Sequence, residues 1–261
     1  MTHKITGEHI SAPCGKCPNC YKRRVSQWSF RLMQEEKRST SAHFITLTYD
    51  TSHVPITDKR YMSLDKRDTQ LFFKRLRKCP ENISSKIKYY CVGEYGGKTE
   101  RPHYHIILYN AAIETIQRAW QLGSVHYGTI TGASIGYTLK YISKRGNIPK
   151  HNNDDRKPQF GNMSKGLGAN YLTESMKLWH HADKLTRMYC NLKDGKKIAM
   201  PRYYKNKIYE EKERKIIGVH VRSEQLKKQE NAPYRCPTEK VQRDIAAFKN
   251  MQLKSFQNQK I

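Results

Sequence analysis

Residues 101–109 read RPHYHIILY, and this stretch decides the fold of the chain. Its residues alternate as they do in a β-strand, in which successive side chains point to opposite faces of the sheet. His103 and His105 therefore point to one face, and two imidazoles side by side on a rigid strand are typical of a metal-binding pair. The alternative interpretation is two histidines that pack in a sheet or hydrogen bond to their neighbours.

A second strand is predicted just before the histidine strand, over residues 88–94, with the sequence KYYCVGE. A Gly-rich connection over 95–102 favours an antiparallel hairpin. If the two strands pair, the carboxylate of Glu94 reaches a metal ion held by the histidines. Two His and one carboxylate leave coordination positions open for a phosphate oxygen and water. Glu100 is the rival third ligand, and a surface role remains open for both carboxylates.

Two tyrosines four residues apart, Tyr137 and Tyr141, lie in a predicted helix over 134–145. Residues at this spacing share one helix face, which also carries Lys140 and Lys144. The opposite face carries three apolar residues: Ile135, Leu139 and Ile142. The tyrosines thus lie on the polar side, although packed aromatic residues remain the alternative. A phenol with a pKa near 10 can attack phosphorus when a metal polarises the phosphate and a lysine stabilises the developing charge.

The remaining periodicity predicts an α+β fold, in which a central antiparallel sheet carries flanking helices on one face. Further strands are predicted over 43–49 and 124–130, and further helices over 21–37, 63–78 with Ser63 as N-cap, and 112–121. Beyond Arg145 the pattern weakens, apart from a helix containing Leu172, Met176 and Trp179. We expect three parts: a Cys-rich arm over 1–20, a domain over 21–205, and a basic helical tail over 206–261.

The chain is strongly basic, with 49 Lys and Arg against 23 Asp and Glu in 261 residues and a formal net charge of +26. Such an excess destabilises a compact protein through self-repulsion and indicates a polyanionic partner such as nucleic acid. There is no apolar run long enough to cross a membrane and no signal peptide. Seven cysteines, an odd number, do not predict a disulfide framework, so a reducing cytoplasm is expected.

Three cysteines, Cys14, Cys17 and Cys20, follow a C-x₂-C-x₂-C spacing that is typical of zinc or iron–sulfur sites. The sequence offers several candidates for a fourth ligand: His9, Cys79, Cys91 and Cys236. A structural Zn²⁺ site and free thiols in a flexible arm both remain open.

Taken together, the motifs resemble those of the HUH endonuclease superfamily. The resemblance rests on FITLTY at 44–49, GEYG at 93–96 with RPHYH at 101–105, and Tyr137-x₃-Tyr141. More closely, the chain resembles the replication initiators of microviruses, small single-stranded-DNA phages, and particularly those of gokushoviruses. Three further motifs carry that likeness, which extends from about residue 13 to 205: PCGKC at 13–17, SKGLG at 164–168 and MPRYY at 200–204.

The resemblance implies a rolling-circle initiator that nicks one strand at the origin, stays joined to the 5′ phosphate through tyrosine, and later rejoins the displaced circle. It implies an HUH, RRM-like sheet with the histidines on a middle strand. It makes His103, His105 and Glu94 ligands of Mg²⁺ or Mn²⁺, Tyr137 and Tyr141 the candidate nucleophiles, and Lys140 and Lys144 their assistants.

The expected partners are single-stranded or supercoiled origin DNA, followed by a host helicase and polymerase, in the host bacterial cytoplasm. Five basic residues are expected to contact the DNA: Arg23, Arg24, Arg101, Lys165 and Arg202. A plasmid initiator, relaxase or single-strand transposase shares the chemistry but lacks the phage-like downstream motifs. From another class, a non-catalytic DNA-binding or DNA-packaging protein would bind without metal and would not cleave.

Overall fold

A computed structural model of the chain describes residues 18–128, 130, 139, 148–192, 195–230, 243 and 246. The helices of this described part are α1 (Pro18–Glu36), α2 (Lys66–Lys78), α3 (Ile113–Ala119), α4 (Glu174–Ala182), α5 (Arg202–Ile208) and α6 (Glu211–Glu230). The strands are β1 (Ala42–Thr48), β2 (Lys88–Tyr95), β3 (Pro102–Tyr109), β4 (Val125–Gly128), β5 (Phe160–Met163), β6 (Tyr189–Asn191) and β7 (Lys197–Ala199). Two 3₁₀ turns cover Pro80–Asn82 and Ala169–Tyr171.

Five antiparallel strands form the main sheet in the order β4-β1-β3-β2-β5, and β6 pairs with β7 in a separate hairpin. The histidine strand β3 is therefore the middle strand. Its register places Glu94 of β2 opposite His103 and Thr46 of β1 opposite His105. The predicted α+β class, with its central antiparallel sheet, is confirmed.

Helices cover both faces of this sheet, so the prediction of helices on one face is wrong. Helices α2 and α3 pack through Phe72, Phe73 and Ile116 onto the face that carries Ile106 and Leu108. Helix α1 packs onto the opposite face through a stripe that includes Val25, Trp28 and Leu32. The physical reason lies in β2 and β3, which are buried on both faces near their centres and so need cover on both.

A third apolar cluster lies on the other side of α1. Phe30 of α1 packs there with Tyr204 and Ile208 of α5 and with Ile217 of α6. Helix α1 therefore stands between the sheet and the C-terminal elements, and it holds both through different faces.

Two local predictions need correction. The N-cap of α2 is Asp65, which accepts a hydrogen bond from the Arg67 N–H, while Ser63 is buried and accepts from the Lys157 N–H. Strand β5 was not predicted, because a four-residue FGNM segment shows no clear alternation. The predicted tyrosine helix lies outside the described residues except for Leu139, which is helical. No described helix is both long and apolar enough to cross a membrane.

Candidate metal centre

Glu94, His103 and His105 converge on one point of the sheet face that α1 covers. The Glu94 Oε1 atom lies 2.9 Å from His103 Nε2 and 3.2 Å from His105 Nε2. All three ligand atoms lie within 4.8 Å of one another, and no other group of this kind occurs among the described residues. The strand pairing that sequence reasoning required of Glu94 is present. The arrangement is compatible with one divalent metal ion.

The other nitrogen of each imidazole has its own partner. His103 Nδ1 lies 3.2 Å from the carbonyl oxygen of Arg101, and His105 Nδ1 lies 2.9 Å from Thr46 Oγ1. When each Nδ1 donates to its partner, each Nε2 presents a lone pair to the carboxylate. Three electron-rich atoms can share this space only with protons or a cation between them. Metal-ligating histidines show this pattern, with the distal nitrogen donating to an oxygen atom.

The Glu94 carboxylate is buried and negatively charged. Burial by itself raises the pKa of this carboxyl group, but hydrogen bonds and charge from His103 and His105 outweigh it and hold the pKa below its usual value. A buried carboxylate beside two imidazoles supplies the mixed oxygen and nitrogen donor set that divalent first-row metals accept. The residues therefore fit a metal ion, with the sheet fixing their positions.

Tyr104, between the two histidines, anchors β3 on the opposite face of the sheet. Its hydroxyl lies 2.8 Å from the Tyr49 hydroxyl, donates to the Asp65 carbonyl oxygen and accepts from the Asp65 N–H. Tyr49 donates in turn to Asp68 over 2.6 Å. The period of two places Tyr104 on this face, but its polar partners are distant in sequence and no local pattern indicates them.

Glu100, the rival third ligand, lies in a separate ion-pair network. Its carboxylate pairs with Lys150 and, over 2.6 Å, with Arg156, which also pairs with the buried Asp154 over 2.7 Å. Arg156 is itself almost fully buried. Glu100 therefore ties the loop after β2 to residues 150–156 and takes no part in the metal centre.

The four candidate nucleophile and helper residues, Tyr137, Tyr141, Lys140 and Lys144, lie outside the described residues. Leu139, in the middle of that segment, is fully buried in the cluster that contains Val92 and Ile107. These two residues lie on the same sheet face as the triad, because they are two positions away from Glu94 and His105 respectively. Leu139 thus brings its part of the chain to the side of the sheet that carries the metal centre.

The predicted cysteine site is described only at Cys20, a partly exposed residue in the first turn of α1. Cys14, Cys17 and two candidate fourth ligands, His9 and Cys236, lie outside the described residues. Cys91 is fully buried among apolar side chains of the sheet core, and this burial raises the pKa of its thiol. A zinc site on the N-terminal cysteines stays a prediction.

Four of the five predicted DNA-binding residues, Arg23, Arg24, Lys165 and Arg202, are exposed. Arg101 differs from them. Its guanidinium donates to the Tyr49 carbonyl oxygen over 2.7 Å, while its own carbonyl lies beside His103 Nδ1. Arg101 therefore holds the end of β1 against the start of β3 and supports the histidine.

Two motifs far apart in sequence meet at α1. Tyr204 of the MPRYY motif donates to the carbonyl oxygen of Gly168, the last residue of the SKGLG motif, over 2.8 Å. Arg31 of α1 donates to the Leu167 carbonyl oxygen, and its guanidinium lies between the rings of Trp28 and Tyr203, 4.2 and 4.0 Å from their centroids. Sequence reasoning placed Arg31 only as one more basic residue of α1, because a stacked arginine leaves no local signal.

Comparisons with known proteins give a consistent result. Residues 42–146 match the family model for the replication-associated protein ORF2. The chain is 28% identical over 221 residues to "Replication-associated protein ORF2" of Spiroplasma virus 4, covering 77% of this chain and 68% of that protein. It is 27% identical over 221 residues to "Replication-associated protein VP4" of Bdellovibrio phage phiMH2K, covering 74% and 66%.

A third relative is "Replication-associated protein ORF4" of Chlamydia phage 1, 24% identical over 230 residues that cover 78% of this chain and 55% of that protein. The chain thus spans between about half and two thirds of the length of these relatives. No solved structure matches the chain. The segment matched by the family model contains the whole triad and both tyrosines of the Tyr137-x₃-Tyr141 motif.

Proposed function

Because this chain belongs, through its residues 42–146, to the family of the replication-associated protein ORF2, we propose that it initiates phage DNA replication by nicking one strand at the origin. The relatives among small phages support the replication role. The observation that carries the nicking chemistry is the convergence of Glu94, His103 and His105 on one point. A protein that only packages DNA has no use for a buried carboxylate and two oriented imidazoles.

In this proposal, Glu94 Oε1, His103 Nε2 and His105 Nε2 hold one divalent cation, Mn²⁺ or Mg²⁺. When bound, the cation polarises the scissile phosphate and stabilises the charge that develops on it. Imidazole ligands suit Mn²⁺ better than Mg²⁺, which prefers oxygen donors, so the donor set favours Mn²⁺. Thr46 and the Arg101 carbonyl keep the two rings in the orientation that presents Nε2.

The nucleophile is the hydroxyl of Tyr137 or Tyr141. A bond forms between the tyrosine oxygen and phosphorus, and the bond from phosphorus to the 3′ oxygen breaks. The phenol proton is released, and the departing 3′ oxygen takes up a proton to become a hydroxyl. Lys140 and Lys144 stabilise the pentacoordinate state. The burial of Leu139 on the triad's side of the sheet supports this assignment.

The phosphotyrosine conserves the energy of the broken bond, so a 3′ hydroxyl can later attack it and rejoin the strand without ATP. Two tyrosines allow two successive transfers. The partners that follow from this role are single-stranded or supercoiled origin DNA and then a host helicase and polymerase, which extend the 3′ end in the host bacterial cytoplasm.

The test is cleavage of labelled single-stranded origin DNA with Mn²⁺ or Mg²⁺, followed on a denaturing gel. Wild type is compared with Tyr137→Phe, Tyr141→Phe, the double Phe variant and His103→Ala/His105→Ala. We expect a metal-dependent covalent protein–DNA band that disappears in the double Phe and double Ala variants. DNA binding by folded protein without any adduct would instead support the non-catalytic alternative.

A further inference from the structure

Three segments that pack around α1 are basic and contain no acidic residue. Residues 18–34, 158–173 and 195–209 carry ten Lys and Arg in all and no Asp or Glu. Elsewhere in the described chain, basic side chains commonly face carboxylates, as Lys88 faces Glu35 and Arg118 faces Glu81. The separation of charge is therefore a local property of this part of the protein.

The three segments form one packed unit. The ring of Phe30 lies 6.0 Å from that of Tyr204, edge to face, and Tyr204 bonds to Gly168. The Gly168 N–H donates to the buried carboxylate of Glu35 over 2.7 Å. These contacts hold the segments in place, so the positions of their exposed cations are set by the fold.

Five cations of this unit define what we call the basic surface: Arg23, Arg24, Lys165, Arg202 and Lys205. None of them forms an ion pair with a carboxylate within the described part of the chain. Lys205 is half-buried, and its burial together with the charge of Arg23 lowers the pKa of its amine. Like charges held together destabilise the free protein and are relieved when an anion binds between them.

The basic surface lies near the metal centre but apart from it. Arg24 lies close enough to the buried Tyr90 for its charge to oppose the rise that burial causes in the Tyr90 pKa. Tyr90 and Glu94 share one sheet face, four residues apart on β2, which corresponds to about 13 Å along a strand. A DNA strand that reaches the triad can thus also reach these cations, but not with the same phosphate.

We propose that the basic surface binds backbone phosphates of the single-stranded origin DNA a few nucleotides to one side of the nick. This inference rests on the proposed function for the identity of the polyanion. The surface supplies affinity and places the strand, while the triad and the tyrosine carry out the cut. Its contacts are with phosphates, so they do not depend on the base sequence.

The test measures DNA affinity by fluorescence anisotropy, in the full chain carrying His103→Ala/His105→Ala so that no strand is cut. Two pairs of substitutions remove cations from the surface: Arg23→Gln/Arg24→Gln, and Arg202→Gln/Lys205→Gln. The matched control is Lys74→Gln/Lys78→Gln, two cations of α2, which covers the other face of the sheet. The nicking rate at saturating DNA is measured for each pair with the histidines intact.

Each surface pair is expected to lower the affinity roughly 20-fold at about 0.1 M salt, because each lost phosphate contact removes about 0.7 from the slope of log K against log salt. The control should lose less than about 3-fold, and the nicking rate at saturation should not change. Lengthening the oligonucleotide on one side of the nick should strengthen binding to the parent protein but not to the surface variants.

Equal losses in the control and surface pairs, or lost nicking at saturation with unchanged affinity, would overturn the proposal. The Arg23/Arg24 pair is exposed on a helix, so it tests the surface even if the half-buried Lys205 proves necessary for folding. If the wild type forms no covalent adduct, the proposed nicking fails, yet the anisotropy comparison still decides whether this surface binds single-stranded DNA.

Discussion

Thr46 touches the metal centre without being a ligand. Its hydroxyl lies 2.9 Å from His105 Nδ1 and fixes the ring so that Nε2 faces Glu94. Thr46→Val keeps the shape and removes this partner. Loss of such a contact lowers metal affinity about 10- to 100-fold. Titration calorimetry with Mn²⁺ measures the change.

The control for Thr46 is Thr48→Val, the same change on the same face of β1, since Thr48 donates to the Ser124 carbonyl oxygen and not to a histidine. We expect Thr48→Val to bind Mn²⁺ like the wild type. Wild-type affinity in Thr46→Val would mean that the sheet alone orients His105.

Gly168 is required by the close approach of three segments. Its φ is +72°, and a Cβ there would lie 2.6 Å from the Arg31 carbonyl oxygen and 2.7 Å from the Tyr204 hydroxyl. Gly166 has the same φ, but a Cβ there would meet nothing closer than 4.0 Å. Gly166→Ala should therefore lose about 1–2 kcal/mol of unfolding free energy through backbone strain. Gly168→Ala should lose clearly more, as measured by urea unfolding, and equal losses would contradict the steric argument.

At the scale of elements, β3 is held by polar contacts on the face away from the metal. Tyr104→Phe removes the hydroxyl that joins Tyr49 and the Asp65 backbone. The Asp65 N–H loses its partner, so the expected loss of unfolding free energy is about 1–3 kcal/mol. Thermal or urea unfolding measures it. Tyr203→Phe is the control, since the Tyr203 hydroxyl has no hydrogen-bond partner in the described part of the chain, and it should cost less than 0.5 kcal/mol or so.

The polar contacts of Tyr104 also show what the sequence can and cannot predict. The alternation of RPHYHIILY predicts which side chains share a face, and the pairing of two adjacent strands predicts that Glu94 meets the histidines. The partners of Tyr104 come from β1 and from the start of α2, and only tertiary packing brings them together. The same holds for β5, whose pairing with β2 is set by tertiary context.

Helix α4 carries a buried histidine that makes stability depend on pH. His180 is fully buried, its Nδ1 lies 2.8 Å from the Arg187 carbonyl oxygen, and its Nε2 lies 2.9 Å from the Tyr171 hydroxyl. Burial lowers the pKa of this imidazole. Below the ordinary histidine pKa of about 6.5, the unfolded chain takes up a proton that the folded chain refuses, so stability falls as the pH falls.

The measurement for His180 is urea unfolding at pH 7.5, 6.5 and 5.5. The free energy of unfolding should fall by up to about 1.4 kcal/mol per pH unit below pH 6.5. His180→Asn should be less stable at pH 7.5 and show a flatter dependence, whereas the exposed His53→Asn should keep the wild-type dependence. A wild-type slope in His180→Asn would assign the effect to other groups.

At the scale of the whole molecule, the net charge of +26 has opposite consequences for folding and for binding. In the free protein, salt should stabilise the fold, because raising the ionic strength from about 0.01 to 0.1 M shortens the Debye length from about 30 to 10 Å and screens the repulsion. The melting temperature in sodium chloride should therefore rise over this range. Chloride is preferred to phosphate or sulfate, whose multiple charges would favour binding to the basic surface.

With a single-stranded oligonucleotide present, the dependence on salt should change. Bound DNA stabilises the folded protein by mass action, and this gain shrinks as salt weakens binding. The difference in melting temperature between the DNA-bound and the free protein should thus fall with salt while the free protein itself becomes more stable. The surface pair Arg23→Gln/Arg24→Gln should raise the melting temperature of the free protein at low salt and reduce the gain from DNA. A free protein that melts at a lower temperature in 0.1 M salt would show that its like charges are already balanced within the folded chain, and the basic surface would then lose its energetic reason to bind an anion.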